Sequence, residues 1–288
     1  MPEITLAPKV FDRALIARHL ERRPEGHDDF VTRMVLADLD ERLSPVTRSF
    51  RQALIMAPDA RLLPTTGTSA NGAFAYERAS TVVPASDVPL VDPEALNLPR
   101  RGYDLIVSIF DLDVVDDVPG FLARARAHLR GDGLFLAAAI GGDSLTELRE
   151  AFLAADAETG GGAFLRVAPF IPLSQSAGLL QRAGLALPVS DVETHLVRYE
   201  TPLALMRELK ALGASNPLAD RPNRMATRSL IGAASAAYER LAQDPDGRVR
   251  ATLEIIWMSG WAPHESQQKP LKPGSAEISL AQVLKAKS

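Results

Sequence analysis

The sequence predicts an α/β protein built on a doubly wound, mostly parallel sheet. Two segments, 103–109 (Tyr-Asp-Leu-Ile-Val-Ser-Ile) and 133–140 (Gly-Leu-Phe-Leu-Ala-Ala-Ala-Ile), are apolar almost without interruption, as strands buried on both faces are. Between them, Val118 to Leu129 carries Phe121, Leu122, Ala125 and Leu129 on one helical face, so the three segments form a βαβ unit with a right-handed crossover. Short apolar runs alternate with helical periods on either side, and a sheet of that kind opens a ligand crevice at the carboxyl ends of its strands.

The remaining elements follow in chain order. Phe11, Leu15 and Leu20, then Phe30, Met34, Leu36 and Leu39, recur at helical spacing, giving one or two helices over 11–43. Pro24-Glu25-Gly26 breaks this run and Ser44-Pro45 closes it. Strands are expected at 52–56, 73–77 and 88–91. The stretch from Asp143 to Asp156 reads as a helix capped by Asp143 or Ser144, with Glu147 near its third position. A loop with three glycines at 160–162 follows, then a short helix ending at Gly184. Residues 187–199 alternate as a strand, 202–212 and 224–242 read as helices, and 249–258 as the final strand. The domain division is an N-terminal helical extension over 1–45, an α/β domain over 46–265 and a polar tail over 266–288.

Composition narrows the function classes. The 288 residues hold 46% hydrophobic and 24% charged residues, as ordinary globular proteins do. There is no cysteine, which removes disulfides, thiolate metal sites and cysteine nucleophiles. The net charge of −4 offers no basic field for nucleic acid. The N-terminal stretch lacks the apolar core of a signal peptide, and no run approaches the roughly 20 apolar residues of a membrane span. A cytoplasmic location is expected.

Candidate site residues come from the strand ends. Glu77 closes the second candidate strand, where a carboxylate would accept hydrogen bonds from ribose hydroxyls; the competing reading is an exposed strand end. Asp92 and Glu94 follow the third, where an acid would accept from an adenine amino group; the competing reading is a proline-capped turn. The five histidines are scattered without metal-ligand spacing. Gly160-Gly161-Gly162 is followed by no Gly-Lys-Ser/Thr, and Gly141-Gly142-Asp143-Ser144 is no nucleophile elbow.

The segment "YDLIVSIFDLDVVDDVPGFLARARAHLRGDGLFLAA" (103–138) resembles the middle of class I S-adenosylmethionine-dependent methyltransferases. The blocks "GGDSLTELREAF" (141–152), "GLLQRAGL" (178–185), "LMRELKALGASN" (205–216) and "GWAPHESQ" (260–267) look like the methyltransferase-like assembly factors of respiratory complex I and their alphaproteobacterial relatives, which neighbour the malonyl-carrier-protein methyltransferases of biotin synthesis. The resemblance implies a Rossmann-like seven-stranded methyltransferase sheet with a helical insertion at about 201–244, bound S-adenosyl-L-methionine, and a protein substrate or assembly partner such as a complex I subunit. It points to Ala57, Asp59, Glu77, Asp92, Glu94 and Ser108 on the cofactor side and to Asp143, Tyr199, Asn216 and His264 on the substrate side. It assigns no catalytic residue and no metal.

One motif departs from the family. The loop Asp-Leu-Gly-Cys-Gly-x-Gly becomes Ile55, Met56, Ala57, Pro58, Asp59, Ala60 and Arg61, so all three glycines are lost where backbone must approach the cofactor. The family's Leu-His-Trp after the fourth strand becomes Leu112, Asp113 and Val114. Two readings follow: a methyltransferase-family enzyme with a rebuilt first loop, or a catalytically silent assembly factor on the same fold.

Overall fold

A computed structural model describes residues 9–23, 28–159, 162–222 and 225–268. Seven strands form one sheet: β1 (Ala53–Ala57), β2 (Thr66–Ser69), β3 (Gly72–Ser80), β4 (Tyr103–Ile109), β5 (Leu129–Ile140), β6 (Ala186–Tyr199) and β7 (Val249–Trp261). The helices are α1 (Arg13–Glu21), α2 (Phe30–Leu43), α3 (Val118–His128), α4 (Thr146–Glu158), α5 (Leu173–Arg182), α6 (Pro202–Ala211) and α7 (Arg228–Ala242). The sheet order is β2-β3-β1-β4-β5-β7-β6. Strands β3, β1, β4 and β5 run parallel, and β2, β7 and each β6–β7 pairing are antiparallel to their neighbours. This is the methyltransferase Rossmann-like fold.

The pleat of the central strands builds two cores. Leu54 and Met56 of β1 join Phe135 of β5 and pack under Phe121 and Leu122 of α3 and Leu180 of α5. Ala53, Ile55 and Ala57 point the other way and join Val107 and Leu136 against Val35, Leu39 and Leu43 of α2. Alternation at a period of two sends neighbouring residues of one strand to opposite faces. α4, α6 and α7 form a third cluster around Tyr238 and Val249, so the helical insertion between β6 and β7 packs on the end of the sheet that carries the crevice.

Helix starts follow their side chains. Asp12, Asp29 and Asp117 each accept a hydrogen bond from the backbone N–H three residues on, capping α1, α2 and α3. α4 differs from expectation: it begins at Thr146 after Leu145, which sits at φ 55, and the carboxylate of Glu147 reaches Thr252 instead of closing a capping box. The break expected at 24–26, part of the glycine run at 160–162 and most of the tail lie outside the described residues.

The largest correction lies between β1 and β3. A helical crossover is the usual way to join parallel strands. Here residues 58–71 hold only a three-residue 3-10 turn, Ala60–Leu62, and the edge strand β2. The chain passes beyond β3, returns antiparallel along β2 and re-enters as β3, so no crossover helix joins β1 to β3. The strand expected at 88–91 reduces to two isolated bridges, Ala85 with Val88 and Ser80 with Leu90. Gly67 is needed for the hairpin: a Cβ there would stand 2.7 Å from the Phe74 ring and 2.8 Å from that of Tyr76. Gly67→Val is expected to lower stability by about 1–3 kcal/mol through overpacking, read from urea unfolding followed by circular dichroism.

Candidate functional site

The crevice at the carboxyl ends of β1, β4 and β5 is a cavity of 280 Å³. Its floor is Ala57, Pro58, Ile109, Phe110 and Ile140, and its walls include Leu145, Val167, Phe170 and Tyr199. α1 and the 212–218 loop roof it. Phe11 bridges Leu218, the Asp12 N–H donates to the Pro217 carbonyl at 2.9 Å, and Arg221 pairs with Asp12 at 3.1 Å. The Val10 and Phe11 N–H groups donate to Asp116, both at 2.9 Å, which fastens the roof to the segment after β4.

The loop after β1 is sewn to the end of β3. The Pro58 carbonyl accepts from the Ser80 hydroxyl at 3.1 Å, Val82 N–H at 3.2 Å and Val83 N–H at 2.8 Å. The Ala57 carbonyl accepts from Thr81 N–H at 2.9 Å. Asp59 is buried and grips the Arg61 guanidinium with both oxygens, at 2.6 and 2.9 Å, while Arg23 stands 3.8 Å away. Burial alone would push the Asp59 carboxyl up; the hydrogen bonds from Arg61 and the two guanidinium charges outweigh it and hold the group below the usual carboxylate value.

The sequence-derived residues divide between several places. Ala57 and Asp59 line the crevice, as do Tyr199 and Asn216. Ser108 is buried beneath it, its hydroxyl donating to Asp111 at 2.7 Å. Glu77 does not end its strand. β3 continues to Ser80, and Glu77 pairs in register with Leu54 near the start of β1. There it accepts from the Tyr103 hydroxyl at 3.0 Å and pairs with Arg100 at 2.9 Å. Asp92 pairs with Arg13 of α1 at 2.9 Å, and Glu94 accepts from Asp116 N–H at 2.7 Å. Asp143 is exposed beyond β5, its N–H donating to Glu254. The Asn216 amide donates to the Leu165 carbonyl at 2.8 Å. His264 follows β7 at the opposite end of the sheet, where its ring faces Gly131, so it cannot share a substrate with the crevice residues.

Two acids that the sequence did not mark as a site sit together here. Asp111 and Asp113 flank Leu112 in a 3-10 turn that starts after Phe110 at φ 63. Asp111 accepts from Thr81 at 2.5 Å and Ser108 at 2.7 Å. Burial pushes its carboxyl up to about 7, against the pull of those two hydroxyls. Burial raises Asp113 to about 8, helped by the nearby Asp111 charge and opposed by the Ile140 N–H it accepts at 3.1 Å. Two acids spaced two apart directly after an apolar strand were the available signal.

The residues present do not fit S-adenosylmethionine. The backbone that should approach its amino-acid portion is closed onto β3 and carries a buried carboxylate. β3 ends in a serine whose hydroxyl is already donated, rather than in an acid for ribose.

No protein-family model matches the chain. The arginine-hydroxylase NDUFAF5, mitochondrial, of Danio rerio is 35% identical over 208 residues, covering 72% of this chain and 64% of the relative. A malonyl-[acyl-carrier protein] O-methyltransferase of Laribacter hongkongensis is 37% identical over 183 residues, covering 64% of this chain and 59% of the relative. The chain thus spans less than two thirds of the length of these curated relatives. Among solved structures, YcgJ of Bacillus subtilis superposes with a TM-score of 0.47 at 14% identity, over 81% of this chain and 99% of that one. The chain is thus similar in sequence to these methyltransferase-related proteins.

The raised acids predict a pH signature. Between 3.8 and the folded value, the native protein holds a proton that the unfolded chain has released, so stability falls as pH rises through that window. In Asp113→Asn this contribution vanishes. The variant is expected to gain on the wild type from pH 5 up to about 8 and to level off above it in urea unfolding, as a single carboxyl raised to about 8 requires.

Proposed function

We propose that this chain is a methyltransferase-fold protein without S-adenosylmethionine chemistry, acting by binding a protein partner in the assembly of a respiratory complex. The observation that carries this reading is the closed first loop: Pro58 bound three times by the end of β3, and Asp59 locked to Arg61. A cofactor amino acid would have to displace hydrogen bonds that hold the sheet edge together, and its carboxylate would meet the Asp59 charge. Leaving a buried, ionised group without its partner costs several kcal/mol, so the loop is stable against opening.

Relationship to the NDUFAF5 assembly factors supports the partner class, a complex I subunit or its precursor. Among the described residues no helix is long and apolar enough to cross a membrane. That fits a protein of the bacterial cytoplasm that meets the inner membrane through its partner.

Isothermal titration of the full chain with S-adenosylmethionine and with S-adenosylhomocysteine tests the reading. No saturable heat is expected at sub-millimolar ligand. Stoichiometric binding of either compound would restore the alternative, a transferase with a rebuilt first loop.

A further inference from the structure

The crevice survives although its cofactor contacts do not. Its volume of 280 Å³ is roughly twice that of the about 150 Å³ apolar cavity that takes a single benzene, and it approaches the size of ordinary small-molecule pockets. The surface is largely apolar, with Phe30, Phe110, Phe170, Leu145 and Val167 facing one space. Two residues of this lining, Phe110 at φ 63 and Leu145 at φ 55, hold a left-handed backbone conformation that side-chain-bearing residues adopt at a cost. Strain of this kind collects around ligand clamps.

The charged groups along the wall are already matched. Arg23 pairs with Asp29 at 3.0 Å and stands 3.8 Å from Asp59. Arg166 is held by Asp156 through two hydrogen bonds, at 2.6 and 2.8 Å. Asn216 and Ser144 have backbone partners. A ligand with a net charge would find no free counter-charge among these groups and would be desolvated without compensation. Asp113 is different: it lines the crevice, and its two oxygens share one accepted hydrogen bond, from Ile140 N–H. Burial keeps its proton on at neutral pH, which leaves a carboxylic O–H as a donor toward the space it lines.

We propose that the crevice is a binding site for an uncharged, mainly apolar small molecule bearing one acceptor oxygen, such as a medium-chain ester or ketone, with Asp113 donating to that oxygen. The site rests on the reading that S-adenosylmethionine no longer occupies the crevice. Asp113 takes the place of the family's histidine at the mouth of β4, and the change converts a charged-cofactor cleft into a neutral one with a single polar anchor.

The test uses the neutral fluorophore N-phenyl-1-naphthylamine with the full chain. Saturable enhancement is expected, with displacement by methyl octanoate at pH 7 at least tenfold more effective than displacement by octanoate. Ala168→Phe, which extends a side chain from the lining, is expected to weaken probe binding at least tenfold with the circular dichroism spectrum unchanged; Val31→Trp on the opposite wall serves if the first variant fails to fold. Asp113→Leu is expected to keep the fluorophore and lose the preference for the ester over octane. Absence of saturable binding, equal competition by octanoate, or binding indifferent to both filling variants would overturn the site. Displacement of the fluorophore by S-adenosylmethionine would instead overturn the proposed function while leaving the cavity a ligand site, so the two failures are distinct.

Discussion

The carbonyl of Pro58 is the hinge of this molecule's history. In a sheet that binds a nucleoside, the loop after the first strand must leave backbone free, and a following helix must present its amino terminus. Here that one oxygen accepts from Ser80, Val82 and Val83. Once it is engaged, the chain leaves β1 flat against β3, has no length for a crossover helix, and turns back as β2. The sheet keeps its order, and its first nucleotide-binding unit is exchanged for a hairpin.

The charge pattern follows from this closure. Asp59 is pulled inside by the tight turn and would be costly there as a free carboxylate. Arg61 lies two residues on and Arg23 reaches in from the roof, so the buried charge is neutralised by its neighbours. Arg23 in turn donates to the Leu212 carbonyl at 2.7 Å, and the same guanidinium thereby links the first loop, α1 and the end of the α6 segment. The glycine-to-Asp/Arg replacement, the N-terminal helices and the insertion thus share one electrostatic junction. That sharing holds the roof over the crevice.

Much of the fold was legible in the sequence and part of it was not. The unit β4–α3–β5 was readable because its strands are continuously apolar and its helix has one apolar face. The insertion helices and the last strand were readable from periodicity. β2 was not: Thr-Gly-Thr-Ser is too small and polar to register as a strand. The pointer to it was the adjacent Asn71-Gly72, a hairpin signal in its own right, which leads into β3 with Gly72 at φ 106. Missing the hairpin also shortened the expected strand to 73–77 and promoted Glu77 to a strand end it does not occupy. Among the residues the sequence singled out, those of the altered loop, Ala57 and Asp59, line the crevice. Which polar groups there are already satisfied depends on contacts between residues far apart in the chain, such as Ser80 with Pro58 or Arg23 with Asp59, and spacing carries no record of them.

The crevice is costly in physical terms. The two cores on either face of β1, β4 and β5 do not depend on anything in the crevice, so the fold would survive if the crevice collapsed. It is open: Phe110 and Leu145 hold unfavourable backbone conformations at its edge, with Asp111 buried and Asp113 half-buried beside them. Each of these features lowers stability, and a cavity of this size forgoes the packing that filling it would give. A protein kept only as a rigid platform would gain by filling the space with larger side chains at Ala57, Ala168 and Val114. An open, apolar crevice edged by strained backbone, beside a first loop closed by hydrogen bonds, is the arrangement that the proposed neutral ligand site requires.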